Sequence, residues 1–261
     1  METYDHVMDD ESSQQKRAYW EIALGLQAVD NLEPSSYMKK LVEEHIEGKK
    51  SYSELTSEIT TYYHQHDAGT IPSNDISSGS EEADKVADAI YEILHDGSFR
   101  FDIMTFRNYH YRLFEKLNSK VYHPGEFRTV NLTKKEPILN GKSVQYQDFG
   151  MIEESLKYDF DEEVRQNYLE MTQEEKVQRL AFFTSRIWQV HPLYEGNTRT
   201  TAVFIEKYLM NMGYEIDNKL LGEHAKEFRD ALVLANYTSI PDGIQASPEK
   251  LEDFIAKMLE K

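Results

Sequence analysis

Residues 172–213, TQEEKVQRLAFFTSRIWQVHPLYEGNTRTTAVFIEKYLMNMG, read as two helices around a short polar loop. Thr172 and Glu175 stand at capping-box spacing, each side chain satisfying a free N–H of the other residue. Val177, Leu180, Ala181, Thr184, Ile187 and Trp188 then recur at helical spacing. Residues 200–212 resume the helical pattern, and Gly213 is placed to end it. The loop between them is His191-Pro192-Leu193-Tyr194-Glu195-Gly196-Asn197-Thr198-Arg199. Gly196, Asn197 and Thr198 fall at a helix start, where free N–H groups and the helix dipole favour an anion. Glycine and asparagine bend readily into such a nest. Arg199 adds a cationic fork suited to phosphate oxygens. Glu195 sets a hard oxygen ligand beside the cradle, as magnesium bridging phosphates requires. His191, with an ordinary pKa near neutrality, suits taking a proton from a hydroxyl. Taken singly, each residue has an ordinary reading as a turn, a core histidine or a solvated charge. Their joint order between two helices points to phosphate-ester transfer.

Outward from this loop, the chain reads mainly α. Ala18, Ile22, Leu26 and Val29 share one helical face, with Trp20 and Leu24 beside it, and Pro34 closes that stretch. Ser35-Ser36 caps a second helix, stopped at Gly48, and Ser51 to Glu54 spells a capping box for a third. Helices are also expected over 81–94 and 105–117, and a last one from Ser247-Pro248-Glu249 onward. Asn140-Gly141 between short apolar runs signals one small β-hairpin. The expected division is a disordered stretch 1–14, a helical unit 15–66, a linker 67–82 and a catalytic domain 83–261.

Composition narrows the function classes. The chain holds 47 acidic and 29 basic residues for a net charge of −18, which argues against nucleic acid and anionic membranes as partners. Residues 1–90 carry 19 acids and 7 bases, so the acidity is concentrated there. The absence of cysteine removes disulfides, zinc-thiolate sites and thiol nucleophiles. No apolar run approaches the roughly 18 residues that span a bilayer, and METYDHVMDDESS lacks the apolar core of a secretory signal. A cytoplasmic location is expected. The sequence leaves a homo-oligomer open.

At His191, Glu195, Gly196, Asn197 and Arg199 the sequence resembles the Fic family (filamentation induced by cAMP), whose signature is H-x-F-x-[D/E]-G-N-G-R-x-x-R. The resemblance extends over about residues 85–240 and implies a Fic-type helical bundle. Gly125-Glu126-Phe127-Arg128, followed by the hairpin at Asn140-Gly141, looks like the family's flap, which pairs with an extended target segment. The implied activity is AMP transfer from ATP, with Mg²⁺, to a Ser, Thr or Tyr hydroxyl of a protein target, self-modification included. By that resemblance His191 is the base and Glu195 the metal ligand. Gly196, Asn197, Thr198, Arg199, Asn236, Leu139, Asn140 and Gly141 contact the nucleotide. Another nucleotide, or phosphate, as the transferred group stays open, as does a non-catalytic nucleotide-binding module.

Three positions depart from the signature. Leu193 replaces the phenylalanine as apolar anchor, Thr198 replaces the second glycine, and Ala202 stands where the second arginine belongs. Thr198 is expected either to narrow the cradle or to add a donor. Residues 15–65 resemble a VbhA-like antitoxin fused to its enzyme, with Asp30 in place of the inhibitory glutamate. In the family that glutamate pairs with the second arginine. Lacking an arginine at position 202, Asp30 is expected to find no cation in the site, so its removal should change transfer less than about tenfold, roughly 1.4 kcal/mol.

Overall fold

A computed structural model describes residues 12–67, 79–216 and 218–259. Most of the stretch 1–14 and of the expected linker 67–82 therefore lies outside the described residues. In chain order the α-helices are α1 (Ser13–Gly25), α2 (Ser36–Ile46), α3 (Tyr52–Asp67), α4 (Ser80–His95), α5 (Ile103–Phe114) and α6 (Ser119–Tyr122). They continue as α7 (Ile152–Val164), α8 (Gln173–Val190), α9 (Asn197–Asn211), α10 (Asn218–Glu223), α11 (Ala225–Asn236) and α12 (Glu249–Leu259). The mainly helical fold is the expected one. Ser35 caps α2 through the N–H of Met38, and the Thr172–Glu175 capping box opens α8.

The hairpin needs correction. Asn140 and Gly141 do take positive φ, at 54° and 85°. The Glu136 N–H donates to Lys142 O, and its carbonyl accepts from the Gly141 N–H. No ladder extends from this turn, because residues Pro137–Leu139 coil into a 3-10 turn and proline brings no N–H to a strand. Among the described residues the only β pairing is two isolated bridges, Phe127–Leu193 and Ser239–Ile244.

Helix α9 forms the centre, with every residue from Asn197 to Leu209 buried. Phe204 and Tyr208 on it meet Phe101, Phe160 and Phe183 at ring distances of 4.4 to 6.1 Å. The N-terminal helices share this core. Trp20 of α1 stacks on Tyr91 of α4, with centroids 4.2 Å apart. Asp84 of α4 accepts from the Ser35 N–H at 2.8 Å and from the Tyr63 hydroxyl at 2.6 Å. Helix α1 also crosses α10 so closely that a Cβ on Gly25 would sit 1.9 Å from Gly222 O. Only glycine fits at that crossing. Beyond it the chain tightens into a 3-10 turn, Leu26–Asp30, closed by left-handed Asn31. Among the described residues no helix is long and apolar enough to cross a membrane.

Glu206 on α9 is wholly buried, and burial pushes its carboxyl from 4.5 up to about 8. Between those values the folded state keeps a proton that the unfolded chain releases, so stability falls as pH rises. The slope is about 1.4 kcal/mol per pH unit. Glu206→Gln should therefore gain on the wild type by that slope from pH 5 to 8, read by urea denaturation at several pH values. A difference that does not vary with pH would show that Glu206 does not titrate this way.

Candidate active site

Helix α8 ends at His191, which takes a left-handed conformation with φ 48° and ψ 56°. Leu193 is fully buried, as an anchor must be. Asn197 ties the loop to itself: its Nδ2 donates to Leu193 O at 2.9 Å, and its Oδ1 accepts from the Leu193 N–H at 3.0 Å. Gly196 precedes α9 with φ 71°, and a Cβ there would lie 2.2 Å from the Phe114 ring. Glycine is required on both counts. Thr198 neither fills the cradle nor adds a donor to it. Its hydroxyl turns inward and accepts from Trp188 Nε1 at 3.0 Å.

The His191 imidazole is buried beneath Tyr146, ring on ring at 3.8 Å and 16°. Its Nδ1 lies 3.3 Å from Trp188 O. A carbonyl only accepts, so Nδ1 carries the proton and Nε2 keeps the lone pair. Burial, reinforced by Lys134, pushes the imidazole down to about 3, and it is neutral at physiological pH. Below it Arg128, itself buried, donates to His191 O at 2.7 Å and Val130 O at 2.6 Å. The same guanidinium reaches Val190 O at 3.3 Å, and Gln147 O. One side chain therefore bolts the end of α8 to both sides of the loop 128–148.

Arg199 does not point into open solvent; its side chain is fully buried. Its Nη2 donates to Glu82 at 2.6 Å and its Nη1 to Gln27 at 3.2 Å, while its Nε lies 3.1 Å from Asp30 Oδ2. The other Asp30 oxygen meets Lys134 Nζ and Arg229 Nη1, each at 3.1 Å. Burial acts to raise the Asp30 carboxyl, but Arg199, Lys134 and Arg229 hold it below its ordinary range. The expectation that Asp30 would lack a cation is thereby overturned. Ala202 is indeed buried and contributes no charge, yet α11 and the segment before the Asn140 turn bring cations of their own.

Asp30, Glu82, Lys134, Arg199, Arg229 and Glu195 line a cavity of about 530 Å³. Glu195 is 42% exposed and lies 3.9 Å from Lys134 Nζ. Glu136 and Pro137 line the same cavity; Leu139, Asn140 and Gly141 do not. Leu139 is core, and the Asn140-Gly141 tip is exposed. Asn236 lies apart. It bonds Ser185 at 3.1 Å and Leu232 O at 2.9 Å, beside a separate cavity of about 760 Å³.

Residues 100–209 match the Fic/DOC family. The match spans helix α8 and the loop 191–199. Three solved structures share its fold. One is the N-terminal Fic domain of a putative cell filamentation protein from Bartonella quintana, with bound ADP. It is 21% identical with TM-score 0.53, over 68% of this chain and 82% of that one. A second is BepC from Bartonella tribocorum, with bound AMPPNP, at 16% identity and TM-score 0.51 over 71% and 92% of the two chains. The third, a Fic domain containing signaling protein from Bacteroides thetaiotaomicron, is 14% identical with TM-score 0.53, over 95% of this chain and 92% of its own. A search of curated protein sequences gives no match.

The structure brings further residues to this region that the sequence did not single out. His110 on α5 accepts from the Gly125 N–H at 2.9 Å through Nδ1, and its Nε2 meets Glu195 O at 3.2 Å. It fixes the backbone of the candidate metal ligand. Gln27, Glu82, Lys134, Glu136, Tyr146 and Arg229 also escaped notice. Their signal is spatial: Arg229 and Val29 are 200 positions apart in sequence.

Replacing Arg128 by lysine keeps the charge and loses the fork. At least two buried carbonyls then go unpaired, each costing about 1–3 kcal/mol. Arg128→Lys should accordingly lose about 2–5 kcal/mol in chemical denaturation. A loss under about 0.5 kcal/mol would show that the bolt carries no strain.

Proposed function

We propose that this chain transfers AMP from ATP to a side-chain hydroxyl of a protein, including its own, and that residues 15–66, antitoxin-like, restrain it through Asp30. The observation that carries the reading is the ordered set His191, Glu195, Gly196, Asn197 and Arg199 on one helix–loop–helix, within a Fic/DOC domain. Two structures of the same fold are described with ADP or AMPPNP bound, which supports an adenine nucleotide as ligand.

In this reading His191 Nε2 takes the proton of the attacking hydroxyl. The hydroxyl oxygen bonds to the α-phosphorus, the bond from that phosphorus to the bridging oxygen breaks, and pyrophosphate leaves. Positioning and charge stabilisation by the α9 N-terminus and Arg199 do most of the work. Among the described residues no three side chains form a metal site by themselves. Glu195, half exposed at the cavity edge, fits an ion completed by phosphate oxygens and water, as Mg²⁺ prefers. When bound, such an ion would neutralise charge building on the leaving phosphates. Tyr146 must swing off His191 before an acceptor can enter. A module that binds nucleotide without transfer is favoured only by that covered state of His191.

Intact mass after incubation with Mg²⁺ and each nucleoside triphosphate separates these readings. The wild type should gain one AMP residue from ATP. His191→Ala should lose transfer by about 10²–10⁴ in rate while still binding nucleotide, and self-modification at the wild-type rate would overturn the assignment of the base.

Removing Asp30 leaves its three cations facing an empty cavity. Breaking such a buried arrangement costs about 3–5 kcal/mol of stability. It also frees the cations for phosphate. Asp30→Ala should thus lower the unfolding midpoint and raise self-modification about tenfold or more. A variant with unchanged activity would return Asp30 to a purely structural role.

A further inference from the structure

From residues 15–66, it is the 3-10 turn Leu26–Asp30 that meets Arg199, Arg229 and Lys134. Arg229 spends Nε and Nη2 on Glu136, at 2.9 to 3.3 Å. Its Nη1 meets Val29 O, at 3.2 Å, and Asp30, at 3.1 Å. Lys134 Nζ meets Asp30 at 3.1 Å and Glu195 at 3.9 Å. Glu136 orients Arg229 without help from the turn, and Arg229 Nη1 and Lys134 Nζ converge on one point, each 3.1 Å from Asp30 Oδ1. The Asp30 carboxylate stands in that point as a surrogate anion.

The charges define what can replace it. Glu82 stays on Arg199 and Glu136 on Arg229, so each guanidinium is half compensated. Lys134 is the least compensated, with 38% of its side chain exposed. A single carboxylate already draws on three elements: α9 through Arg199, α11 through Arg229, and the segment before the Asn140 turn through Lys134. A ligand with several linked anionic groups spans those elements better than one carboxylate can. The second turn of α9 offers nothing in their place, since Ala202 is apolar and buried.

We infer that Arg229 and Lys134 form the polyphosphate subsite of this cavity, supplying from α11 and the Asn140 segment the cations that α9 lacks at position 202. The inference rests on the nucleotide reading proposed above and assigns residues that no signature names. Arg199 and the α9 N-terminus then hold the phosphate nearest the transfer. Arg229 and Lys134 hold those beyond it, in the space that Asp30 vacates.

The test is calorimetric titration of the full chain carrying Asp30→Asn, with AMP, a non-hydrolysable ATP analogue and inorganic tripolyphosphate, Mg²⁺ present throughout. Lys134→Gln and Arg229→Lys are then added singly. Lysine at 229 keeps a cation for Glu136, so the fold has a safeguard, and Lys134 is exposed enough to replace. Each addition should weaken the triphosphate analogue and tripolyphosphate about tenfold or more, equivalent to roughly 1.4 kcal/mol, and AMP less than about twofold. Equal weakening of AMP and the analogue, or no weakening of either, would overturn the subsite while leaving nucleotide binding intact. Tripolyphosphate binding that depends on both residues, without binding of any nucleotide, would keep the subsite and overturn the nucleotide reading. Silence with all three ligands would overturn both.

Discussion

A carboxylate taken out of water is costly unless cations meet it. Asp30 is 13% exposed and is met by Arg199, Arg229 and Lys134, and the layout of the cavity follows from that requirement. It fixes where α1 must end, because the turn Leu26–Asp30 has to reach the start of α9. It fixes the approach of α11, whose Arg229 is shared with Glu136. It also draws the segment before Asn140 inward through Lys134. Glu82 and Gln27 complete the shell of Arg199, the most deeply buried cation in the group. Charges of both signs alternate there, so no group is left facing the low-dielectric interior alone.

The loop 191–199 was legible in sequence because its parts are local. Capping residues, an apolar anchor, a glycine at positive φ and an asparagine bracing its own loop all act within a few positions. The helix caps at Ser35 and Thr172 were legible for the same reason. Helix α7 carries Ile152, Leu156 and Phe160 at four-residue spacing and buries all three, so its signal was present and not taken up. The Asn140-Gly141 turn was read correctly as a turn. Its strands were not there, because Pro137–Leu139 coil into a 3-10 turn and Pro137 lacks a donor.

What escaped the sequence is long-range. The direction of the Thr198 hydroxyl depends on Trp188 ten positions earlier and on the loop folding back over it. The partner of Asp30 was sought on α9, where the signature puts an arginine. It came from Arg199, three positions earlier on α9, together with Lys134 and, from α11, Arg229. Arg128 was read as part of a flap-like segment, and its reach to the carbonyls of Val130, Val190 and His191 is what the sequence did not show.

Trp20 stacked on Tyr91, and Asp84 gripping Ser35 and Tyr63, tie the helices on either side of the turn Leu26–Asp30 to α4. In the proposed reading, a contest between Asp30 and an incoming anion is therefore unimolecular. Dilution of the protein does not weaken it, and a separate inhibitory subunit would have no such constancy. Exchange at the cavity calls for a shift of five residues in a 3-10 turn, a conformation with poorer hydrogen-bond geometry than the helices around it. In the proposed reading such a restraint would travel with every copy of the chain, while the part that has to move is among the smallest in the molecule.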